Sequence, residues 1–183
     1  MPTSNEVSLH KVGVEAAQVL SNLLELYIHD MSEVFPVALG PDGRFGYEKL
    51  ALYWSEPTAR QAFLIKRGGD IAGFVLVTRG SPATTDPADL DIAEFFVLRS
   101  HRRAGVGRHA AQRLWESVPG NWVVRVSESN RAGLRFWSEV VRDYATGGYQ
   151  ETVRPGNPGW RVFTFEARSR RNDTTGPEPR GRG

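Results

Sequence analysis

Residues 99–110, RSHRRAGVGRHA, hold four arginines and a Gly-x-Gly but no acidic residue. If the glycines open a helix, its first turn presents unpaired backbone N–H groups, and an anion can closely approach residues that lack a Cβ. The guanidinium groups of Arg102, Arg103 and Arg108 could pair with phosphate oxygens in a bidentate way. The stretch therefore predicts a site for a ligand that carries a pyrophosphate or several phosphates. The alternative is a tight strand-to-helix turn with solvated arginines.

The stretch lacks one known phosphate motif and matches a second one in its residues but not in its context. A P-loop requires Lys-Ser/Thr after its last glycine, and Gly107 is followed by Arg108 instead. The dinucleotide fingerprint Gly-x-Gly-x-x-Gly/Ala matches residues 105–110, with Glu128 about 20 residues further on. That fingerprint places its first glycine almost directly after a strand, whereas RSHRRA intervenes here, and the chain ends in a predicted hairpin. An NAD(P)-binding oxidoreductase is therefore the less favoured alternative.

The elements around this stretch indicate how it is positioned. A mostly apolar strand, DIAEFFVLR, precedes it, and apolar residues at intervals of four from Val106 predict a helix that ends at Pro119. Asn130 is a good N-cap for the next helix. We also expect strands at EVSLHKV and NWVVRVSES, helices through Ile28 and at YEKLALYW, and hairpins of RQAFLIKR with IAGFVLVTR and of GYQETVRP with WRVFTFEA. This order predicts an α/β or α+β fold with a mixed sheet.

The composition indicates a globular protein and argues against a metal site. The 183 residues are 40% hydrophobic and 24% charged, as in an average globular protein. Cysteine is absent and the four histidines show no His-Glu-x-x-His spacing, so we expect no metal site. We recognise neither a signal peptide nor a membrane-spanning run, so a cytoplasmic protein is expected.

Positive charge is concentrated in the C-terminal tail. Residues 168–183 hold five arginines against two acids, a net +3 within a chain of net +2, which leaves −1 for residues 1–167. We expect one domain over residues 1–167 and a disordered basic tail over residues 168–183. Contact of this tail with nucleic acid would be non-specific. We therefore expect neither a specific nucleic acid nor a membrane as a partner.

Two segments resemble motifs of one family, the GCN5-related N-acetyltransferases (GNAT superfamily). RRAGVG at residues 102–107 resembles the central motif Arg/Gln-x-x-Gly-x-Gly/Ala between a strand and a helix, and NRAGLRFW at 130–137 resembles Asn-x-x-Ala-x-x-Phe-Tyr. The resemblance covers about residues 91 to 140. It implies a GNAT fold, in which helices flank a mixed, mostly antiparallel sheet, and an acetyltransferase that uses acetyl-CoA. The implied acceptor is a primary amine of a small molecule, and a homodimer is common in the family.

The resemblance also implies which residues hold the co-substrate. Backbone N–H groups of residues 103–108 would bind the diphosphate, and the end of the preceding strand would pair with the pantetheine amides. The thioester would lie where two parallel strands splay apart, and a backbone N–H near Val97 would stabilise the oxyanion. The implied acetyl-CoA-binding residues are Phe95, Phe96, Val97, Arg102, Arg103, Ala104, Gly105, Val106, Gly107, Arg108, Asn130, Phe136 and Trp137.

Asp91 and Glu94 are the candidate catalytic residues, because a carboxylate can accept the proton that the acceptor amine must lose. Strand alternation places them on opposite faces, so only one can point into the site unless a bulge intervenes. Glu94 is slightly favoured because it lies nearer the expected thioester in an apolar segment, where burial would raise its pKa. For either residue, a structural ion pair with an arginine such as Arg125 is the alternative.

Trp137 departs from the family pattern. It stands where the family commonly has a tyrosine that protonates the leaving thiolate, and an indole cannot act as that acid. Tyr144 could reach the sulfur only if its helix bends. Water could protonate the thiolate instead, or the protein could be a non-catalytic acyl-CoA-binding or sensing domain. The implied acceptor site is framed by Tyr27, Asp30, Glu33, Phe35, Phe45, Tyr47 and Trp54.

Overall fold

Seven strands and four helices build residues 6–168, which are the residues that the computed structural model describes. The strands are β1 (Val7–Val12), β2 (Arg60–Arg67), β3 (Asp70–Arg79), β4 (Leu90–Val97), β5 (Gly120–Ser127), β6 (Gln150–Arg154) and β7 (Trp160–Ala167). The helices are α1 (Ala17–Met31), α2 (Leu52–Ser55), α3 (Val106–Ser117) and α4 (Arg131–Tyr144). Of the predicted tail, only residue 168 is described, and the rest lies outside the described residues.

All seven strands form a single sheet in the order β1-β2-β3-β4-β5-β7-β6. Every neighbouring pair is antiparallel except β4 and β5, which are parallel because α3 carries the chain back between them. The predicted hairpins, β2 with β3 and β6 with β7, are both present. The predicted fold class, helices around a mixed, mostly antiparallel sheet, is confirmed.

Helices cover both faces of this sheet. The larger core lies between the sheet and α3 and α4, where Leu114, Trp115 and Val141 are fully buried. On the other face, α1 buries Leu20 and Leu24 against β2 and β3. Each of these leucines stabilises the fold by about 2 kcal/mol. The packing on both faces holds β4 and β5 in the middle of the molecule.

Two predicted helices differ from expectation in length. Helix α1 continues to Met31, three residues beyond the predicted end, and its final turn places Asp30 near the sheet. The short helix predicted at YEKLALYW is a 3-10 turn over Glu48–Ala51 followed by one α-helical turn. The residues between them, 32–47, form a long connection without regular structure, and several of them border the site described below.

Candidate functional site

The cleft of the molecule opens where β4 and β5 part. These parallel strands pair only at Leu90 with Trp122 and at Asp91 with Val123, although both continue beyond those residues. The cleft has a volume of about 1270 Å³ and is lined by β4, β5, the start of α3 and α4, the end of α1 and the connection after it. Beyond Asp91, the edge of β4 that faces β5 is therefore released from the sheet and free to pair with an extended ligand.

One end of this cleft is formed by the phosphate loop, which we define as residues 98–108. Arg103 and Gly105 both have positive φ, 62° and 76°, and Gly105 directly precedes α3. Within residues 6–168, the six backbone N–H groups of residues 103–108 donate no hydrogen bond. Successive free N–H groups in such a conformation form a concave anion site at a helix N-terminus. The loop thus fits the predicted diphosphate.

The arginine side chains of the loop are placed differently from the prediction. Arg102 donates to the Val97 carbonyl at 2.8 Å and forms an ion pair with Asp30. Arg108 points to α4, where it pairs with Asp143. Only Arg103 of the three predicted phosphate-binding arginines is exposed and without a side-chain partner among the described residues. Arg102 and Arg108 are therefore already paired, and only Arg103 of the three is available for bidentate pairing with phosphate. The other groups of the loop that can bind an anion are its backbone N–H groups.

Strand β4 has a bulge that brings both candidate carboxylates to one face. The register of β4 against β3 shifts between Glu94, opposite Leu76, and Ile92, opposite Val77, so that Ala93 is extra. Leu90, Ile92, Phe95 and Val97 pack toward α3 and α4, whereas Ala93 and Phe96 pack toward α1. Asp91 and Glu94 both lie on the α1 face, because the bulge cancels the alternation that would otherwise separate them.

Glu94 lies in the cleft and is held by two phenol groups. Tyr27 donates to Glu94 Oε2 at 2.6 Å, and Tyr47 donates to Oε1 at 2.9 Å. Burial raises the pKa of the Glu94 carboxyl above its usual range, and the two hydroxyl hydrogen bonds and the charges of Arg125 and Lys49 offset this only in part. Burial and the Glu94 charge also raise the pKa of both tyrosines, so their hydroxyls remain donors.

Asp91 is fully buried at the closed end of the cleft. Arg125 on β5 donates to both of its oxygens, from Nε at 2.7 Å and from Nη2 at 3.1 Å, and the Ser81 hydroxyl donates to it as well. For Asp91, these contacts are the structural ion pair with Arg125 that was the alternative to a catalytic role. A carboxylate with these partners has little access to an incoming amine, whereas Glu94 borders the cleft.

The aromatic wall between β4 and α4 contains the predicted motif residues. Trp137 packs edge-on against Phe95 with ring centroids 5.0 Å apart, and Phe136 lies 4.9 Å from Trp137. Tyr144 packs into the core against Trp115, with ring centroids 4.8 Å apart, and it does not line the cleft. Asn130 caps α4, since its Oδ1 accepts from the Gly133 N–H at 2.8 Å, as predicted for an N-cap.

The residues predicted to frame the acceptor site line the same cleft, with one exception. Trp54 does not line it and instead packs with α2 against the core near α1. Asp30 lines it, but its carboxylate is occupied by Arg99 at 2.7 Å and by Arg102, so it is not free to attract an amine. The predicted residues that line it are Tyr27, Asp30, Glu33, Phe35, Phe45 and Tyr47.

Several residues of the cleft were not predicted as site residues. Lys49, Arg125 and Trp160 all line it, and the Arg125 guanidinium lies over the Trp160 ring at 5.9 Å. Arg125 and Trp160 lie on β5 and β7, which are neighbours in the sheet but 35 residues apart in sequence. A polar residue in the apolar segment NWVVRVSES was the only sequence signal for this group.

Among residues 6–168 there is no group of three or more histidine or acidic side chains arranged to hold a metal ion. None of the helices in that same range is long and apolar enough to cross a membrane.

Solved structures with a similar fold are acetyltransferases. They include an acetyltransferase from Thermus thermophilus, 16% identical, covering 89% of this chain and 98% of that chain with a TM-score of 0.63. The aminoglycoside acetyltransferase AAC(6')-Ib, in complex with coenzyme A, is 15% identical, with 89% and 95% covered and a TM-score of 0.62. The ribosomal-protein-S18-alanine N-acetyltransferase of Escherichia coli is 13% identical, with 92% and 98% covered and a TM-score of 0.57.

Sequence comparison identifies the family. Among curated protein sequences, none matches the chain significantly. The family model for the acetyltransferase (GNAT) family matches residues 20–140, which include most of α1, the bulged strand, the phosphate loop and most of α4. Since this match spans well over half of the chain, the protein belongs to the GNAT acetyltransferase family.

Proposed function

We propose that the protein is an acetyl-CoA-dependent N-acetyltransferase that acetylates a primary amine of a small molecule by direct attack on the thioester. The observation that carries this proposal is the position of Glu94. Its carboxylate borders the same cleft as Arg103 and Gly107 of the phosphate loop, beside the gap between β4 and β5. A proton acceptor and a diphosphate site therefore flank one opening.

The cleft supports the binding of acetyl-CoA at the loop end. The free N–H groups of the phosphate loop suit the diphosphate, and the released edge of β4 at Phe95, Phe96 and Val97 suits the pantetheine amides. The volume of about 1270 Å³ exceeds the roughly 300–1,000 Å³ that is usual for one drug-sized ligand, which leaves room for a second substrate.

Glu94 is the proposed general base. The acceptor enters as an ammonium ion, which has no lone pair, and Glu94 holds the proton that it loses. Attack by the free amine forms the N–C bond and breaks the C–S bond, and water protonates the departing thiolate because Trp137 is not an acid. Tyr27 and Tyr47 orient the Glu94 carboxylate through their hydrogen bonds.

Release of coenzyme A with an amine panel tests this role. We expect Glu94→Gln to lower kcat/KM about 10²- to 10⁴-fold, the usual contribution of a general base. The matched control is Asp91→Asn, which removes the buried partner of Arg125. It should instead lower the free energy of unfolding by roughly 2–4 kcal/mol, measured by chemical denaturation, with a smaller loss of turnover per folded molecule. Equal turnover by wild type and Glu94→Gln would refute the assignment.

A thermal shift separates the alternatives. Acetyl-CoA should raise the melting temperature and NAD(P) should not, because only a ligand of the folded state stabilises it. The reverse result would favour the oxidoreductase. Trp137 is the observation that favours a sensing domain, and that hypothesis requires acetyl-CoA binding without turnover of any amine. A cytoplasmic location and a homodimer remain predictions, the latter testable by light scattering.

A further inference from the structure

The two strands that part at the cleft each carry one ionisable side chain just beyond the last paired residues. Glu94 extends from β4, and Arg125 extends from β5 two residues after Val123. Both lie on the α1 face of the sheet, since Arg125 binds Asp91, and Val124 and Val126 pack toward the opposite face. An acidic and a basic side chain thus lie on the two sides of one opening.

Arg125 is oriented with part of its guanidinium group unused. Nε and Nη2 donate to Asp91, and the Trp160 ring covers the guanidinium at 5.9 Å. Nη1, which carries two N–H donors, bonds to no atom of residues 6–168 and is not among their buried unpaired atoms. About a quarter of the side chain, 24%, is exposed, and Arg125 lines the cleft. Arg125 is therefore a cleft residue with a fixed guanidinium group and two N–H donors that remain unpaired among the described residues.

A contribution to stability alone does not explain why Arg125 is paired with the buried Asp91. A buried ion pair contributes little net stability, because the cost of removing both charges from water offsets their attraction. An arginine whose orientation is fixed by a carboxylate and an aromatic ring is, in contrast, well suited to bind a second carboxylate with its remaining N–H groups.

Lys49 adds a second cation to the same part of the cleft. It is exposed on the 3-10 turn before α2, lines the cleft and pairs with no acid of the described residues. Arg125 and Lys49 line the same cleft as Glu94, and the charges of both lower the pKa of its carboxyl. One acid and two cations therefore surround the position of the acceptor.

One further part of the wall is apolar and offers little to a polycation. Phe35 stacks on Trp160 with ring centroids 6.2 Å apart and an interplanar angle of 18°, and Met31 and Val34 lie beside them on the cleft. Asp30 is already paired with two arginines, as described above. Glu33 is the other acid of this region, and its side chain is 78% exposed.

We propose that the acceptor is an amino acid with an apolar side chain, its amine at Glu94, its carboxylate at Arg125 Nη1 and Lys49, and its side chain against Phe35 and Trp160. This inference rests on the proposed function, because it names the substrate of that same site. It predicts discrimination between acceptors that differ only in the carboxylate.

Matched acceptors test it directly. Phenylalanine, phenylalaninamide and 2-phenylethylamine share the apolar body and the amine, and kcat/KM for each is corrected for the fraction present as the ammonium ion, the form in which the acceptor enters. The same is done with leucine and leucinamide, and spermidine serves as the polycation. We expect the amino acids to exceed their amides and the decarboxylated amine about 10- to 100-fold, the contribution of a charge-assisted hydrogen bond.

Two variants assign this preference to the cations. Arg125→Lys keeps a positive partner for Asp91 but loses the planar fork, so the ratio of amino acid to amide should fall toward one. Lys49→Gln changes an exposed residue and should lower the same ratio several-fold without unfolding the protein. The thermal shift with acetyl-CoA checks that each variant keeps the other end of the cleft intact.

The outcomes separate this inference from the proposed function. Acetyl transfer to amides, amines or spermidine as fast as to amino acids would overturn the inference and leave the acetyltransferase in place. An unchanged ratio in Arg125→Lys would do the same. If the wild-type protein neither binds acetyl-CoA nor acetylates any amine, the proposed function is wrong, and this inference is wrong with it.

Discussion

The two ends of the cleft differ in the chemical groups that are available to bind a ligand. At the phosphate loop, residues 98–108, the binding groups are backbone N–H groups that follow one another in the chain. At the acceptor end, which we define as Tyr27, Tyr47, Glu94 and Arg125, they are side chains from α1, the connection after it, β4 and β5.

The difference determines what each end tolerates. A backbone site depends on conformation and on the absence of Cβ atoms, so most side chains of the loop can change without removing a donor. A side-chain site depends on residue identity and on the packing of distant elements. The acceptor end should therefore determine specificity, whereas the loop end should bind the same co-substrate across many acceptor preferences.

Adding a side chain to the backbone end should have the largest effect on acetyl-CoA binding. A Cβ on Gly107 would come within 3.1 Å of the Phe136 ring, and the rest of a valine would extend into the cleft. We expect Gly107→Val to raise the Kd for acetyl-CoA about a hundredfold, since a displacement of about 1 Å in a site costs this much. Isothermal titration measures it.

Gly147→Val is the control for this substitution. Gly147 follows α4, nothing lies within 4 Å of its added Cβ, and it does not line the cleft. The Kd for acetyl-CoA should stay at the wild-type value in this variant. A wild-type Kd in Gly107→Val would show that the diphosphate binds elsewhere.

An intermediate effect is expected from Tyr47→Phe at the acceptor end. The base must be ionised, so kcat/KM falls as the pH drops through the pKa of Glu94, which burial raises. Loss of the 2.9 Å hydrogen bond removes an interaction that lowers this pKa. The acid limb of the pH–rate profile should therefore move to higher pH.

Two comparisons test whether the acid limb of the pH–rate profile belongs to Glu94. Tyr149→Phe removes a hydroxyl outside the cleft and should leave the profile in place. Because the acceptor amine also titrates, the profile is repeated with an amine of lower basicity, and a limb that belongs to Glu94 will not move. A shift to lower pH in Tyr47→Phe would contradict the geometry.

The smallest effect is expected from Arg103→Ala. This removes the unpaired arginine of the phosphate loop but keeps its N–H group, so the KM for acetyl-CoA should rise only about three- to fivefold, as for an exposed charge pair screened by salt. The difference from wild type should shrink at high ionic strength. A hundredfold rise would mean that side chains, not backbone groups, dominate this end.

The order of elements and the phosphate loop could be predicted because their signals are local. Hydrophobic periodicity marked all seven strands, and Gly105 and Gly107 marked the start of α3. The bulge at Ala93 could not be predicted, since nothing in DIAEFFVLR distinguishes a bulged strand from a regular one. The face on which Glu94 lies relative to Asp91 therefore remained open until the register against β3 was known.

Ion pairs were likewise beyond sequence reasoning. Asp30 pairs with Arg99 and Arg102, which are 69 and 72 residues away. Asp30 was predicted to border the acceptor and Arg102 to bind phosphate, and this pairing occupies both charges. Side-chain charge alone does not reveal which partners folding will bring within reach.

The sequence by itself determined the order of strands and helices, the glycine-opened helix and the family, because hydrophobic patterning and motifs depend on neighbouring residues. Only the tertiary structure decided that Glu94 and Arg125 face each other across the gap, that two tyrosines hold the carboxylate and that most of the arginines are already paired. Those contacts join residues far apart in the chain, and they follow from strand register and helix packing rather than from local preference.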